Sequence, residues 1–171
     1  RHTNFVHPFN NIMKSKNKNS NTPPVKLGII GAGFMGQVAH LMNYVEIDNC
    51  EIVALAEMRP KLCSQVAKRY NIPHTYHSHL DLLQNPEVEA VAIITMREMI
   101  GPIALDCLKA KKAVITEKPM AFTYLQAKQL VETAEKNNLI YNVGYMRLFD
   151  EGVQRAKSIL DNLRTTGELG S

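Results

Sequence analysis

The chain has 171 residues, 45% hydrophobic and 21% charged, which suits one globular domain of ordinary size, or one with part of another. Its net charge of +4 lies entirely in residues 1–22, where Arg1, Lys14, Lys16 and Lys18 meet no acid, so the remainder is balanced. That distribution, with no Trp, excludes a nucleic-acid-binding face on the folded part, and no apolar run reaches the roughly 18 residues that a bilayer span needs.

Residues 1–24 read as a flexible basic tail, rich in Asn and Lys, poor in aliphatics and closed by Thr22-Pro23-Pro24 in an extended conformation. A targeting presequence is the alternative for this acid-free stretch, which is not clearly amphipathic. The apolar run from Val25 to Ile30 is a first strand. Met35, Val38, Ala39 and Met42, at i, i+3, i+4 and i+7, predict a helix buried along that stripe. Ile52 to Ala56, between Glu51 and Glu57, predicts a parallel strand buried on both faces. Cys63, Val66, Ala67 and Tyr70 stripe a second helix. A short third strand is expected at Pro73 to His77, a small helix from Ser78 to Gln84, and a fourth strand from Val88 to Ile94.

Ile100, Ile103, Ala104, Cys107 and Leu108 mark the next helix, with Pro102 expected in its first turn. Ala113 to Thr116 is the fifth strand. Thr123 caps a helix with Gln126 as its capping-box partner, and Ala127, Leu130, Val131 and Ala134 form the face to be buried. A sixth strand from Ile140 to Gly144 and a last helix from Glu151 to Leu163 follow. Strands alternating with helices in this way predict an α/β fold, a doubly wound parallel sheet of the Rossmann type.

Cys50, Cys63 and Cys107 are odd in number and far apart, with no C-x-x-C or Cys/His ligand cluster. They read as reduced thiols used as small core residues, which points to the cytoplasm. His74, His77 and His79 lack a carboxylate or cysteine to complete a ligand set, so no metal is expected, and His40 reads as an ordinary surface or boundary residue.

The chemistry concentrates in Gly31-Ala32-Gly33-Phe34-Met35-Gly36, a G-x-G-x-x-G turn between a strand and a helix. Gly31 makes the tight turn, Gly33 lets a pyrophosphate approach the backbone, and Gly36 lets the helix pack on the sheet. Phe34 and Met35 lie between them as further cofactor-contact candidates. Glu57 ends the second strand, where a carboxylate can accept the hydroxyls of an adenosine ribose. It points to NAD because it would repel a 2′-phosphate. Arg59, two residues on, could pair with that phosphate and keeps NADP open. Glu117-Lys118-Pro119 follows the fifth strand, at the end of a parallel sheet where ligands lie. Lys118 there could hydrogen-bond a substrate hydroxyl and help move its proton, though a solvated strand-end lysine is the plainer reading. Pro119 fixes the turn, with a cis bond as one way of doing so.

The glycine turn, Ala56-Glu57-x-x-Pro60, Glu117-Lys118-Pro119 and Val143-Gly144-Tyr145-Met146-Arg147-x-Phe149-Asp150 together resemble the glucose-fructose oxidoreductase/inositol dehydrogenase (Gfo/Idh/MocA) family, from about Val25 to Ser171. The resemblance implies a nucleotide-binding domain followed by an open β-sheet domain. It also implies NAD(P)-linked oxidation or reduction at a carbon of a sugar, cyclitol or similar polyol. Lys118 matches the family lysine near the nicotinamide and the substrate hydroxyl, and Arg147 matches the basic position after the sixth strand. After the fourth strand the family often reads Thr-Pro-Asn-x-x-His. Thr95 agrees and joins Glu117 as a cofactor-contact candidate, but Met96, Arg97 and Ile100 depart from it.

These readings divide the chain into the tail at 1–24, a dinucleotide-binding Rossmann domain at 25–149, and a connecting helix with the start of a truncated second domain at 150–171. Gly167 to Gly170 would open that domain's first strand. The expected function is the cofactor-binding half of an NAD(P)-dependent oxidoreductase on CH–OH groups, inactive as a fragment. Its partner is a small polyol or sugar, and the full-length protein is expected to be a homo-oligomer. The alternative is a non-catalytic dinucleotide-binding module, a redox sensor or interaction subunit.

Overall fold

The computed structural model describes residues 23–168. The expected tail over 1–22 and the strand expected to begin at Gly167–Gly170 lie wholly or largely outside them. Six strands form one sheet: β1 (Val25–Ile30), β2 (Cys50–Ala56), β3 (His74–Tyr76), β4 (Ala90–Ile93), β5 (Ala113–Thr116) and β6 (Tyr141–Val143). They run in the order β3-β2-β1-β4-β5-β6, and every pairing is parallel. Strand order reverses between β1 and β4, which opens a crevice at their carboxyl ends.

Side chains of a strand alternate between faces, and β1 shows this directly. Leu27 and Ile29 join one core with Leu41, Leu55, Cys63 and Val66. Ile30 joins the other with Leu82, Val91, Ile93, Ile103, Leu108 and Leu130. The helices that cover these faces are α1 (Gly36–Leu41 continued by Met42–Tyr44), α2 (Pro60–Tyr70), α3 (His79–Leu83), α4 (Arg97–Lys109) and α5 (Tyr124–Lys136). Ser78 caps α3 and Thr123 caps α5 through their side-chain oxygens. The reciprocal bond of a capping box shifts by one residue: Gln126 Oε1 accepts from Phe122 N at 3.1 Å rather than from Thr123. Gln126 also lies across Gly101 of α4, where a Cβ would meet it at 2.6 Å.

Three local expectations are corrected. The first helix, α1, is a π-helix over Gly36–Leu41 that ends in an α-helical turn over Met42–Tyr44. A π turn holds an extra residue, so Gly36 and Leu41, five apart, both face the sheet. Met35, Val38 and Met42 are left exposed rather than buried. In α4 the helix begins at Arg97, so Pro102 lies in its interior instead of its first turn. The lost bond costs about 3 kcal/mol. Burying Ile100, Ile103 and Leu108 beside it, at about 1.5–3 kcal/mol each, offsets that cost. In α5, Leu130 and Ala134 are buried but Val131 is exposed, because the face against the sheet is narrower than the apolar stripe.

After β6 a 3₁₀ turn (Met146–Phe149) leads to α6 (Glu151–Thr166). Asp150 caps α6 by accepting from Gly152 N and Val153 N, and Gly167 ends it in the left-handed conformation with φ 75°. Val153, Ile159 and Leu160 on α6 are exposed. Among the described residues no helix is long and apolar enough to cross a membrane.

Candidate dinucleotide site

The carboxyl ends of β1, β2, β4 and β5 bring the sequence-marked residues to one edge of the sheet. Gly31 leaves β1 with φ 97°, and a Cβ on it would lie 2.1 Å from the Ile94 carbonyl oxygen. Only glycine allows β1 and β4 to approach so closely there. A Cβ on Gly33, by contrast, would meet nothing nearer than Arg59 Nη2 at 4.0 Å. The space over Gly33 is open, as a cradle for a pyrophosphate requires. Phe34, 77% exposed, and Met35, the residue just before α1, face solvent. Large apolar side chains are also exposed after β2, at Met58, and after β4, at Met96 and Met99. This edge therefore presents apolar surface around the open turn, a common mark of a ligand face.

Glu57 is buried, at 7% exposure, and both its oxygens are occupied. Oε2 accepts from Ala32 N at 3.0 Å and from Arg59 Nη2 at 2.9 Å. Oε1 accepts from Arg59 N at 3.1 Å and Arg59 Nε at 2.8 Å. The two-pronged bond to the guanidinium holds the Glu57 carboxyl well below the ordinary carboxylate range, at about 2, against the opposing effect of burial, with the Ala32 and Arg59 N–H groups adding to it. Glu57 and Arg59, expected as alternative partners of a ribose and of a 2′-phosphate, are joined in the structure into one unit beside the glycine turn.

Thr95 follows β4, where Ile94 N donates to Ile30 O at 2.8 Å and ties β4 to β1. Ile100, at the position of the family's His, is 1% exposed in the core side of α4, so it presents no polar group to a ligand. Glu117 and Lys118 follow β5, and the Lys118–Pro119 peptide bond is cis. Lys118 is exposed at this edge. His74, His77 and His79 do not converge. His74 lies 3.3 Å from Glu87, His79 lies 3.0 Å from Asp106, and His77 Nδ1 lies 3.3 Å from the Glu57 carbonyl oxygen.

Sequence reasoning missed His40 and Tyr44. His40 Nε2 lies 2.8 Å from Glu117 Oε1, and His40 Nδ1 lies 3.1 Å from Tyr44 Oη. Burial raises the Tyr44 phenol above its ordinary range, with Cys50 and Glu117 adding to the effect, so its hydroxyl keeps its proton. His40 and Tyr44 share an i, i+4 spacing that could have paired them from the sequence. Their meeting with Glu117 could not be read locally, because it joins α1 to the end of β5.

A parallel sheet with this strand order and a glycine turn at its switch point defines a nucleotide-binding α/β domain. Residues 25–145 match the oxidoreductase family with NAD-binding Rossmann fold (Gfo/Idh/MocA), and the chain belongs to that family. It is similar to the inositol 2-dehydrogenase of Salmonella typhimurium (strain LT2), 30% identical over 149 residues, covering 85% of this chain and 43% of that protein. It is also similar to the myo-inositol 2-dehydrogenase of Thermotoga maritima, 25% identical, covering 81% of this chain and 41% of the relative. Among solved structures, scyllo-inositol dehydrogenase from Lactobacillus casei with bound NAD(H) and scyllo-inositol shares the fold, with a TM-score of 0.76 at 24% identity, covering 82% of this chain and 42% of that one. The chain spans less than half the length of these relatives. It is an NAD-binding domain of the oxidoreductase class.

Proposed function

We propose that the chain is the cofactor-binding half of an NAD(P)-dependent oxidoreductase that acts on a CH–OH carbon of a sugar, cyclitol or similar polyol. Residues 25–149 are its dinucleotide domain, and 150–171 connect it to a second domain that completes the substrate pocket, so this stretch alone does not turn over. The same reading takes the complete protein as a cytoplasmic homo-oligomer. The open space over Gly33, at the switch point of the sheet, is the observation that carries it.

Gly31, Gly33 and Gly36 hold the pyrophosphate at the start of α1, where the N-terminal helix turn favours negative charge. Phe34 and Met35 cover it from the helix side. Glu57 accepts from the adenosine ribose, and Arg59 beside it faces the 2′ position. Thr95, Glu117 and Lys118 line the half of the site nearer the nicotinamide. The cofactor, when bound, supplies the hydride acceptor or donor. Lys118 hydrogen-bonds the substrate hydroxyl and carries its proton while the carbon gains or loses hydride, so charge and protons balance across the step.

The test is titration of the chain with NADH and with NADPH, followed by the fluorescence of the nicotinamide. Binding below millimolar by one of them is expected. Binding by neither overturns the dinucleotide reading. A dehydrogenase screen of a longer chain that includes a second domain, against cyclitols and sugars, then tests the reaction. The replaced residues Met96, Arg97 and Ile100 support a second reading, a module that binds the dinucleotide without catalysis. Dinucleotide binding together with no turnover in that screen would favour it.

A further inference from the structure

The contact between α1 and the end of β5 has no part in the functions assigned above to the glycine turn or to Lys118. The His40 ring sits between Tyr44, one turn along α1, and Glu117, just past the end of β5. Its side chain is 15% exposed and that of Glu117 is 22% exposed, so the pair is largely shielded from water. An ionised carboxylate only accepts hydrogen bonds, so His40 Nε2 donates to Glu117. In a neutral ring Nδ1 then accepts from the Tyr44 hydroxyl, the tautomer that this geometry accommodates. The other Glu117 oxygen, Oε2, accepts from Lys118 N at 3.2 Å. Glu117 is thus clamped from both sides, by α1 and by the peptide of the residue that follows it.

His40 lies within the π-helical turn, whose Gly36 and Leu41 are buried five residues apart, and it reaches Glu117 after β5. A cleft of about 320 Å³ opens beside the pair, lined in part by His40, Glu117, Asn142, Gly144 and Tyr145. α1 starts at the glycine turn, so one short helix links the pyrophosphate end of the site to the Lys118 turn.

We propose that His40 is a positioning residue: held by Tyr44, it fixes the Glu117 carboxylate and through it the backbone of the Lys118 turn at the nicotinamide end. This rests on the dinucleotide reading above. It predicts that His40 governs the environment of the bound nicotinamide more than the affinity of the whole dinucleotide.

The test uses the chain itself, with NADH as the probe. The readouts are the emission and lifetime of the bound nicotinamide and the long-range ¹⁵N–¹H correlation of the His40 ring. The expected ring signature is a protonated Nε2 and an acceptor Nδ1, with the Nε2 resonance displaced in Glu117→Gln. His40→Leu is expected to change the bound emission while affinity falls by less than about threefold. His40→Gln, whose amide donates to Glu117, is expected to restore it. His40→Leu combined with Glu117→Gln is expected to add no further change, since the two residues act as one unit. If His40→Leu loses its native circular dichroism, Glu117→Gln and His40→Gln carry the comparison: the first must change the emission and the second must keep it. Binding with the same emission in wild type, His40→Leu and Glu117→Gln overturns the role of His40 alone. So does a change that His40→Gln fails to recover. Failure of the wild-type chain to bind NADH overturns the dinucleotide reading, and this role with it.

Discussion

The Arg59 guanidinium closes over the Glu57 carboxylate, with Nε 2.8 Å from Oε1 and Nη2 2.9 Å from Oε2. A bare glutamate at the end of β2 selects NAD by repelling a 2′-phosphate. This glutamate is neutralised by its neighbour, and the Arg59 side chain remains 65% exposed toward solvent. The pair can therefore face a 2′-phosphate with a cation or a ribose with a carboxylate. Arg59→Ala removes the cation and bares the anion. NADPH affinity is expected to fall at least tenfold, on the order of 1.4 kcal/mol, while NADH affinity holds or improves. Fluorescence titration with both cofactors checks it, and an equal change for both would show that Arg59 does not read the ribose. Glu57→Ala is expected to move the preference toward NADPH.

The same pair makes stability depend on acid. The folded Glu57 carboxyl sits at about 2 against an ordinary value of 4.5, mainly because of Arg59. A depressed folded value contributes stability above the unfolded value and loses it as pH falls toward the folded one. The contribution is therefore complete above about pH 5 and disappears between about pH 5 and pH 2. Its size is on the order of 3 kcal/mol. Urea unfolding across that range is expected to be less steep in pH for Glu57→Gln than for the wild type. Parallel pH curves for the two proteins would remove Glu57 from this role.

What could be read from the sequence was what depends on near neighbours. The glycine turn, the strand before it and Glu57 after the next strand belong to one βαβ unit, so spacing alone was enough to place them. Ala113–Thr116 was readable because a short run rich in β-branched residues lies between the charged pairs Lys111-Lys112 and Glu117-Lys118. The face of α1 was not readable, because Met35, Val38 and Met42 fit a 3.6-residue period that the π turn interrupts. Arg59 was visible as a phosphate partner, but its first partner in the fold is Glu57. His40 and Glu117 are 77 residues apart, and only the order of the strands brings them together.

Two of the three thiols are expected to be unreactive in the native chain. Burial pushes the Cys107 thiol up to about 12, with Asp106 adding to it, and burial also raises Cys63. Only a thiolate attacks a disulfide reagent, and at pH 8 the thiolate fraction of Cys107 is on the order of 10⁻⁴. Ellman's reagent, read by mass spectrometry of each site, is expected to modify Cys63 and Cys107 only when urea unfolds the chain. Native labelling of Cys107 on the timescale of an unfolded control would contradict its buried place in the core.

The glycine turn separates two kinds of requirement. Gly31 is demanded by the fold: at φ 97°, with the Ile94 carbonyl oxygen 2.1 Å from an added Cβ, an alanine would strain the backbone and push β1 from β4. Gly31→Ala is expected to cost about 3 kcal/mol or more. Gly33 is not demanded by the protein, since an added Cβ meets only Arg59 Nη2 at 4.0 Å. Gly33→Ala is expected to keep the thermal midpoint within about 3 °C of wild type and to lose dinucleotide affinity at least tenfold, about 1.4 kcal/mol. Calorimetry and the NADH titration together decide it. If Gly33→Ala binds NADH as tightly as wild type, the pyrophosphate does not cross the turn at Gly33. If it unfolds, the residue serves the fold instead. Only a stable Gly33→Ala with weakened binding identifies the open space above Gly33 as room kept for a ligand.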